Sequence, residues 1–159
     1  MKSKYHKLRI SSKFSLDTIF IIMIMLSLLL TYSFFRAWNR PSLSLPHIES
    51  YTLKTAHIDS CVFSDKDITV IGWAFTEGNT RILNRIFSKG KNGDWIELMS
   101  STITRGDVSA AFNSPTIYDR SGFIATRKDS SVKESFNRDI MIISFDDKGA
   151  GHAAKYHCQ

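Results

Sequence analysis

The sequence predicts an all-β domain, an immunoglobulin-like antiparallel β-sandwich, preceded by a single transmembrane α-helix. Three observations predict it. A charge-free apolar run lies near the N-terminus, and about seven short strand-like segments follow in residues 57–159. One cysteine lies in the first and one in the last of those segments. A chain of 159 residues suits one compact domain plus a smaller element.

The helix is predicted over residues 14–35, FSLDTIFIIMIMLSLLLTYSFF, which carry no charge after Asp17. At 1.5 Å per residue a helix of this length extends about 33 Å, enough for a hydrocarbon core of about 30 Å. A buried core helix would show a polar stripe, which this segment lacks. A cleaved signal peptide would have a shorter apolar run and small residues at its cleavage site. We therefore expect a retained membrane anchor.

Charge predicts the orientation of this anchor. Residues 1–13, the expected cytoplasmic tail, contain five Lys or Arg, whereas only Arg36 and Arg40 closely follow the helix. Positively charged flanks remain in the cytoplasm, so we expect the chain after residue 35 to be exported. Residues 36–56 contain Pro41 and Pro46 without a sustained apolar period, which predicts an extended linker.

From residue 57 onward the chain shows short runs rich in β-branched and aromatic residues, which are typical of strands. The predicted strands are HIDSCVF (57–63), DITVIGWAF (67–75), RILNRIFSK (81–89), DWIELMSSTIT (94–104), GFIATRK (122–128), RDIMIISFDD (138–147) and AAKYHCQ (153–159). The sequence GKNG, residues 90–93, predicts a turn between the third and fourth of them. These segments define the expected exported domain, residues 57–159.

The two cysteines, Cys61 and Cys158, are expected to form a disulfide, because paired cysteines of an exported domain usually bond. Two buried free thiols are the alternative. A catalytic thiol is less favoured, since no C-x-x-C or Cys/His signature accompanies either residue.

The charge distribution argues against a nucleic-acid partner. The net charge of +6 belongs to residues 1–56, which hold eight Lys or Arg and two acids, 8 − 2 = +6. Residues 57–159 hold thirteen basic and thirteen acidic residues, so their formal charge is zero. Nucleic-acid-binding domains need a basic excess on the folded surface.

The sequence contains no nucleophile-elbow, zinc-protease, P-loop or dinucleotide-binding motif. We therefore expect no catalytic residues, no cofactor and no metal. A metal site built from His57, His152 and His157 is an alternative, less favoured than three solvated histidines. Trp95, after the predicted turn, and Tyr118 are candidate ligand contacts, whereas Trp73 is expected in the core because its strand is strongly apolar.

Three short motifs occur in a characteristic order: GWA (72–74), RGDVSAAF (105–112) and SGF (121–123). Their succession resembles a small β-sandwich accessory domain of bacterial membrane proteins in surface-polysaccharide and glycosyltransferase systems. The resemblance covers residues 59–158. It implies a bacterial cytoplasmic-membrane protein with a periplasmic domain that serves envelope or polysaccharide assembly.

The same motifs bear on the tripeptide Arg105-Gly106-Asp107, which is also a cell-adhesion signal. Arg105 and Asp107 recur in the resembling domains, which implies that they hold a loop. Asp107 is expected to cap a short helix, and Gly106 to take a positive φ. An adhesion loop needs a mobile exposed tip, so adhesion is not favoured.

The leading functional hypothesis is a membrane-anchored, non-catalytic binding or interaction module whose partner is a glycan or a larger membrane protein. One alternative is a structural subunit of a larger membrane complex, acting through its helix. Another is a small envelope hydrolase or transferase, which would need acids or histidines gathered in a cleft.

Overall fold

The computed structural model of the chain describes residues 16–38, 45–114 and 116–159. The predicted cytoplasmic tail, residues 1–13, lies outside these ranges. The chain divides into two compact units, Met1–Arg40 and Pro41–Gln159.

The first unit contains one helix, α1 (Leu16–Trp38), which is long and apolar enough to cross a membrane. Its large apolar side chains, such as Phe20, are exposed on all sides. The hydroxyls of Thr31 and Ser33 donate to the carbonyls of Ser27 and Leu29, one turn earlier, at 2.9 and 2.8 Å. These bonds satisfy the hydroxyls within the helix, which a hydrocarbon environment requires.

The second unit is built from two β-sheets. The elements are β1 (Ile48–Ser50), β2 (Ala56–Phe63), β3 (Asp67–Ala74), β4 (Leu83–Gly90), β5 (Trp95–Glu97), β6 (Met99–Ile103), α2 (Gly106–Ala111), a 3-10 turn (Asp119–Ser121), β7 (Gly122–Lys128), α3 (Val132–Ser135), β8 (Phe136–Phe145) and β9 (Gly151–His157). One sheet has the order β1-β9-β8-β4-β5 and the other β2-β3-β7-β6. Among the described strands only β1 and β9 pair in parallel. The prediction of an antiparallel β-rich domain after one apolar helix is confirmed at this level.

Alternation along the strands produces the core between the sheets. In β3, Ile68, Val70 and Ala74 are fully buried, whereas the residues between them, such as Trp73, are half-buried. β8 differs, because every residue from Ile140 to Ser144 is buried. Met141 and Ile143 of β8 belong to a second apolar cluster, on the other face of the five-stranded sheet.

The second cluster consists of Phe87, Met141, Ile143 and Ala153, with Ile48, Trp95 and Phe145 packed against it. Long basic side chains cover part of it. The guanidinium of Arg85 lies 5.3 Å from the centre of the Phe87 ring, and the ammonium of Lys89 lies 5.9 Å from that of Trp95. The aliphatic stems of such residues shield apolar surface while their charges stay in water.

A disulfide and side-chain hydrogen bonds join the two sheets. The predicted Cys61–Cys158 disulfide is present and links β2 to the end of β9, with the Cα atoms 5.9 Å apart. The Tyr156 hydroxyl of β9 donates to the carbonyl of Ala56 in β2 at 2.6 Å. The side-chain amide of Asn84 in β4 donates to the carbonyls of Ala74, at the end of β3, and of Ser121.

Two elements differ from the expectation. The predicted strand over residues 94–104 is divided, because β5 joins one sheet and β6 the other. Between them Leu98 is buried, and its amide donates to the carbonyl of Ile86 at 2.8 Å. In addition, β1 lies within the segment predicted as linker, residues 36–56. Folded structure in this unit therefore begins before residue 57.

Candidate functional site

The candidate site lies on the outer face of the sheet β2-β3-β7-β6, where Arg105 crosses two strands. His57, Trp73 and Gly122 form one row across β2, β3 and β7. A Cβ atom added to Gly122 would lie 2.5 Å from Cγ of Arg105 and 2.6 Å from the carbonyl oxygen of Ile103. Only a glycine therefore leaves room for the stem of Arg105, and the three sequence motifs meet at this row.

The guanidinium of Arg105 is held by two carboxylates, and we call these three residues the Arg105 clasp. Its Nε and Nη2 donate to the two carboxylate oxygens of Asp107 at 2.8 and 2.7 Å. Its Nη1 donates to Asp59 of β2. Asp59 is the extra residue of a β-bulge between Ile58 and Ser60, and bulges commonly re-aim a side chain in this way.

Electrostatics in the clasp favour the charged forms. The hydrogen bonds that the guanidinium of Arg105 donates to Asp107, and then that to Asp59, raise its pKa. The guanidinium in turn lowers the pKa of the Asp107 carboxyl. The imidazole Nε2 of His57 lies 4.0 Å from a carboxylate oxygen of Asp59, so a fourth polar group borders the clasp.

Two local expectations for this loop are wrong. α2 begins at Gly106, and the capping position belongs to Arg105, which makes no side-chain cap bond, so Asp107 lies in the first turn instead. Gly106 does not take a positive φ; that conformation occurs at Gly78, Gly93 and Gly149. The bidentate pair from Arg105 keeps Asp107 beside the helix start without a cap.

Next to the clasp lies an aromatic patch formed by Trp73, Phe75, Phe112 and Tyr118. The Trp73 and Phe75 rings stack with centroids 5.9 Å apart, and the Phe75 and Tyr118 rings stack at 3.8 Å. Phe112 meets Trp73 edge-on at 5.9 Å and Phe75 at 4.9 Å. Phe75 is fully buried, whereas Phe112 keeps 41% of its surface exposed. The patch is therefore anchored in the core and open to solvent at Phe112.

The structure separates the two aromatic residues that the sequence singled out as ligand contacts. Tyr118 belongs to the aromatic patch, and its hydroxyl accepts the amide hydrogen of Gly78 at 3.2 Å. Trp95 is half-buried on the other sheet, against the second apolar cluster. Trp73, expected in the core, instead lies half-buried on the outer face, because its neighbours Gly72 and Ala74 take the inward positions. Phe112 was not among the ligand contacts predicted from the sequence, although it is the one large apolar residue after Val108 in that loop's motif.

The three histidines named above as alternative metal ligands each have a different carboxylate neighbour. His57 lies near Asp59, the Nε2 of His152 lies 3.5 Å from Asp146, and the Nδ1 of His157 lies 2.8 Å from Asp139. Within the described residues, these histidines do not form a common metal-binding group.

Replacing Arg105 by lysine should lower the free energy of unfolding by about 1 kcal/mol, because an ammonium cannot make the bidentate contact with Asp107 while reaching Asp59. Urea denaturation of the full-length protein in detergent, followed by tryptophan fluorescence, measures the change. Asp59→Asn should cost a similar amount. The double variant should cost clearly less than the sum of the two single changes, and strict additivity would contradict the clasp.

Comparison of the chain with protein-family models, with curated proteins and with solved structures finds no match.

Proposed function

We propose that the chain is a single-pass protein of the bacterial cytoplasmic membrane, with a cytoplasmic N-terminus and a periplasmic immunoglobulin-like β-sandwich. In this proposal the sandwich is a non-catalytic module that binds a glycan at the aromatic patch. The process served is envelope or surface-polysaccharide assembly, as the order of the GWA, RGDVSAAF and SGF motifs implies. The apolar helix α1 and the basic residues that precede it support the anchored arrangement.

The observation that carries the proposal is the juxtaposition of exposed aromatic surface with fixed polar groups. Phe112 is 41% exposed, and Ile117, next to Tyr118 in the chain, is 43% exposed. The His57 ring lies 6.2 Å from the Trp73 ring and beside the carboxylate of Asp59, so the apolar surface has a polar rim.

Sugars match such a surface chemically. One side of a pyranose ring presents C–H groups, which pack on aromatic carbon, while its hydroxyls donate to carboxylates and accept from imidazole. The Arg105 clasp holds Asp59 and Asp107 in place before any ligand arrives. Preorganised acceptors of this kind reduce the entropy cost of binding. Each feature favours a sugar over a flat apolar protein partner.

The test is a glycan array probed with the full-length protein in detergent, together with its Phe112→Ser variant. We expect selective binding to one class of bacterial glycan, reduced by about tenfold or more in Phe112→Ser, a loss of at least about 1.4 kcal/mol of binding free energy. The matched control is Leu83→Ser, which changes an exposed apolar residue of the other sheet. Equal binding by wild type and Phe112→Ser, or equal loss in both variants, would contradict the aromatic patch.

A parallel affinity purification from native membranes addresses the alternative of a structural subunit. If the chain acts through its helix, a larger membrane enzyme should co-purify, and replacing residues 14–35 by an unrelated transmembrane helix should abolish this. Binding that survives helix replacement and disappears in Phe112→Ser would instead support the periplasmic module.

A further inference from the structure

Glu49, Asp146 and His152 lie together at one corner of the second unit, Pro41–Gln159, which we call the β-domain. This corner is separate from the aromatic patch. Glu49 belongs to β1, whose parallel pairing places Ser50 beside His152 of β9. Asp146 lies in the turn between β8 and β9. One carboxylate oxygen from each acid and one imidazole nitrogen lie within 4.8 Å of one another. Three separate segments of the chain therefore bring metal-ligating atoms to one place.

Asp146 and His152 are each oriented by contacts with residues other than the three proposed ligands. One oxygen of Asp146 accepts the backbone amides of Lys148 and Ala150 at 2.9 and 2.8 Å, so the carboxylate cannot turn away. Its other oxygen lies 3.5 Å from Nε2 of His152. The Nδ1 of His152 lies 3.1 Å from the hydroxyl oxygen of Ser50.

The contact with Ser50 matters for metal binding. Metal-ligating histidines usually donate their second ring N–H to a nearby oxygen, which fixes the tautomer and the ring orientation. With the proton on Nδ1 donated to Ser50, the lone pair of Nε2 lies beside the carboxylate of Asp146. That is the position in which a cation would be held.

A second, independent observation comes from Ser144. Ser144 is the cross-strand partner of His152, so the two side chains lie on the same face of the sheet. It is fully buried, and its hydroxyl has no hydrogen-bond partner among the residues that the structure describes. Buried hydroxyls are ordinarily satisfied, and a bound ion or its water is a recognised reason for a group that protein atoms leave unpaired.

We propose that Glu49, Asp146 and His152 form a binding site for a divalent transition-metal cation of the Zn²⁺ class. One imidazole nitrogen and two carboxylate oxygens suit such ions, whereas Mg²⁺ and Ca²⁺ prefer oxygen ligands alone. Tetrahedral coordination at about 2.0–2.1 Å places ligand atoms about 3.3 Å apart, so no pair of these atoms needs to close by more than about 1.5 Å. Glu49 is exposed and can provide that movement, with water completing the coordination.

The bound cation would fasten β1 to the edge of the five-stranded sheet. β1 has only three residues, and its register with β9 is irregular between Ile48 and Ser50. A cation held by Glu49 on one side and by Asp146 and His152 on the other bridges this short contact. The site is thus expected to stabilise the beginning of the folded unit.

The experiment is a calorimetric titration of the full-length protein in detergent, freed of metal by a chelator, with ZnCl₂ and separately with MgCl₂. We expect saturable one-to-one binding of Zn²⁺ and affinity for Mg²⁺ lower by at least about tenfold. His152→Gln and Glu49→Gln should each weaken Zn²⁺ binding by about tenfold or more. Absence of saturable Zn²⁺ binding by the wild type would overturn the proposal.

The matched control is His157→Gln, which changes an exposed histidine that lies on β9 with His152 but pairs with Asp139 of β8. This variant should bind Zn²⁺ like the wild type, and an equal loss in His157→Gln and His152→Gln would overturn the site. Thermal unfolding separates binding from folding. Zn²⁺ should raise the unfolding temperature of the wild type but not of His152→Gln, whose circular dichroism should match the wild type. A Zn²⁺-induced rise as large in His152→Gln as in the wild type would also count against the proposal.

Discussion

Replacing Cys61 and Cys158 by serine should lower the free energy of unfolding by about 4–5 kcal/mol, the largest effect of any change considered for this protein. The two cysteines are 97 positions apart in sequence. Closing so long a loop removes much of the conformational freedom of the unfolded chain. Loss of the disulfide therefore restores that freedom and favours unfolding. Cys158 is also buried in the core between the sheets, where a serine hydroxyl is unfavourable.

Urea denaturation of the full-length protein in detergent measures this effect, with and without a reducing agent. The wild type should lose stability when reduced, whereas the double serine variant should respond little. Each single variant should fall close to the double variant, because either change removes the same bond. A wild type with equal stability in both conditions would show that the disulfide contributes nothing in solution.

Gly122→Ala should lower the free energy of unfolding by about 2–3 kcal/mol. The added methyl group would lie 2.6 Å from the carbonyl oxygen of Ile103 and 2.5 Å from Cγ of Arg105. The first contact is with backbone, so β6 and β7 must separate locally. The second displaces Arg105 from Asp59, so the clasp should weaken at the same time.

The matched control is Gly106→Ala, whose added methyl group would have, among the described residues, only an oxygen of Asp119 nearby, at 3.9 Å. Gly106 begins α2 without a positive φ, and alanine favours helix, so this variant should be as stable as the wild type or slightly more so. It also destroys the Arg-Gly-Asp tripeptide. Thermal unfolding followed by circular dichroism compares the two variants. If both variants lost the same stability, steric crowding at Gly122 would not explain the need for glycine at that position.

Much of the fold could be predicted because its strands have strong local patterns. GFIATRK, residues 122–128, coincides with β7, and a turn does separate β4 from β5 at residues 90–93. β1 was missed because its three residues gain their pairing from β9, about a hundred positions later. The break at Leu98 was missed because the apolar pattern runs through it. Tertiary packing decides which sheet β5 joins and which sheet β6 joins.

The site was less predictable than the fold. The pairing of Arg105 with Asp107 is local, and both residues were predicted to hold a loop. The partner on β2, Asp59, depends on a bulge and on a register that no local pattern reveals. The apolar run from Ile68 to Phe75 lacks polar alternation, so the sequence could not show that Trp73 faces outward. The corner formed by Glu49, Asp146 and His152 requires the parallel pairing of β1 with β9.

The disulfide between β2 and the end of β9 also affects how the protein withstands proteases. Nearly all of the β-domain lies between the two bonded cysteines. A single cut in an exposed turn, such as the one at residues 90–93, would leave both fragments joined through sulfur. The fragment after the cut would stay connected to residues that precede Cys61, and through them to α1. A nicked domain would thus remain tethered until its disulfide is reduced.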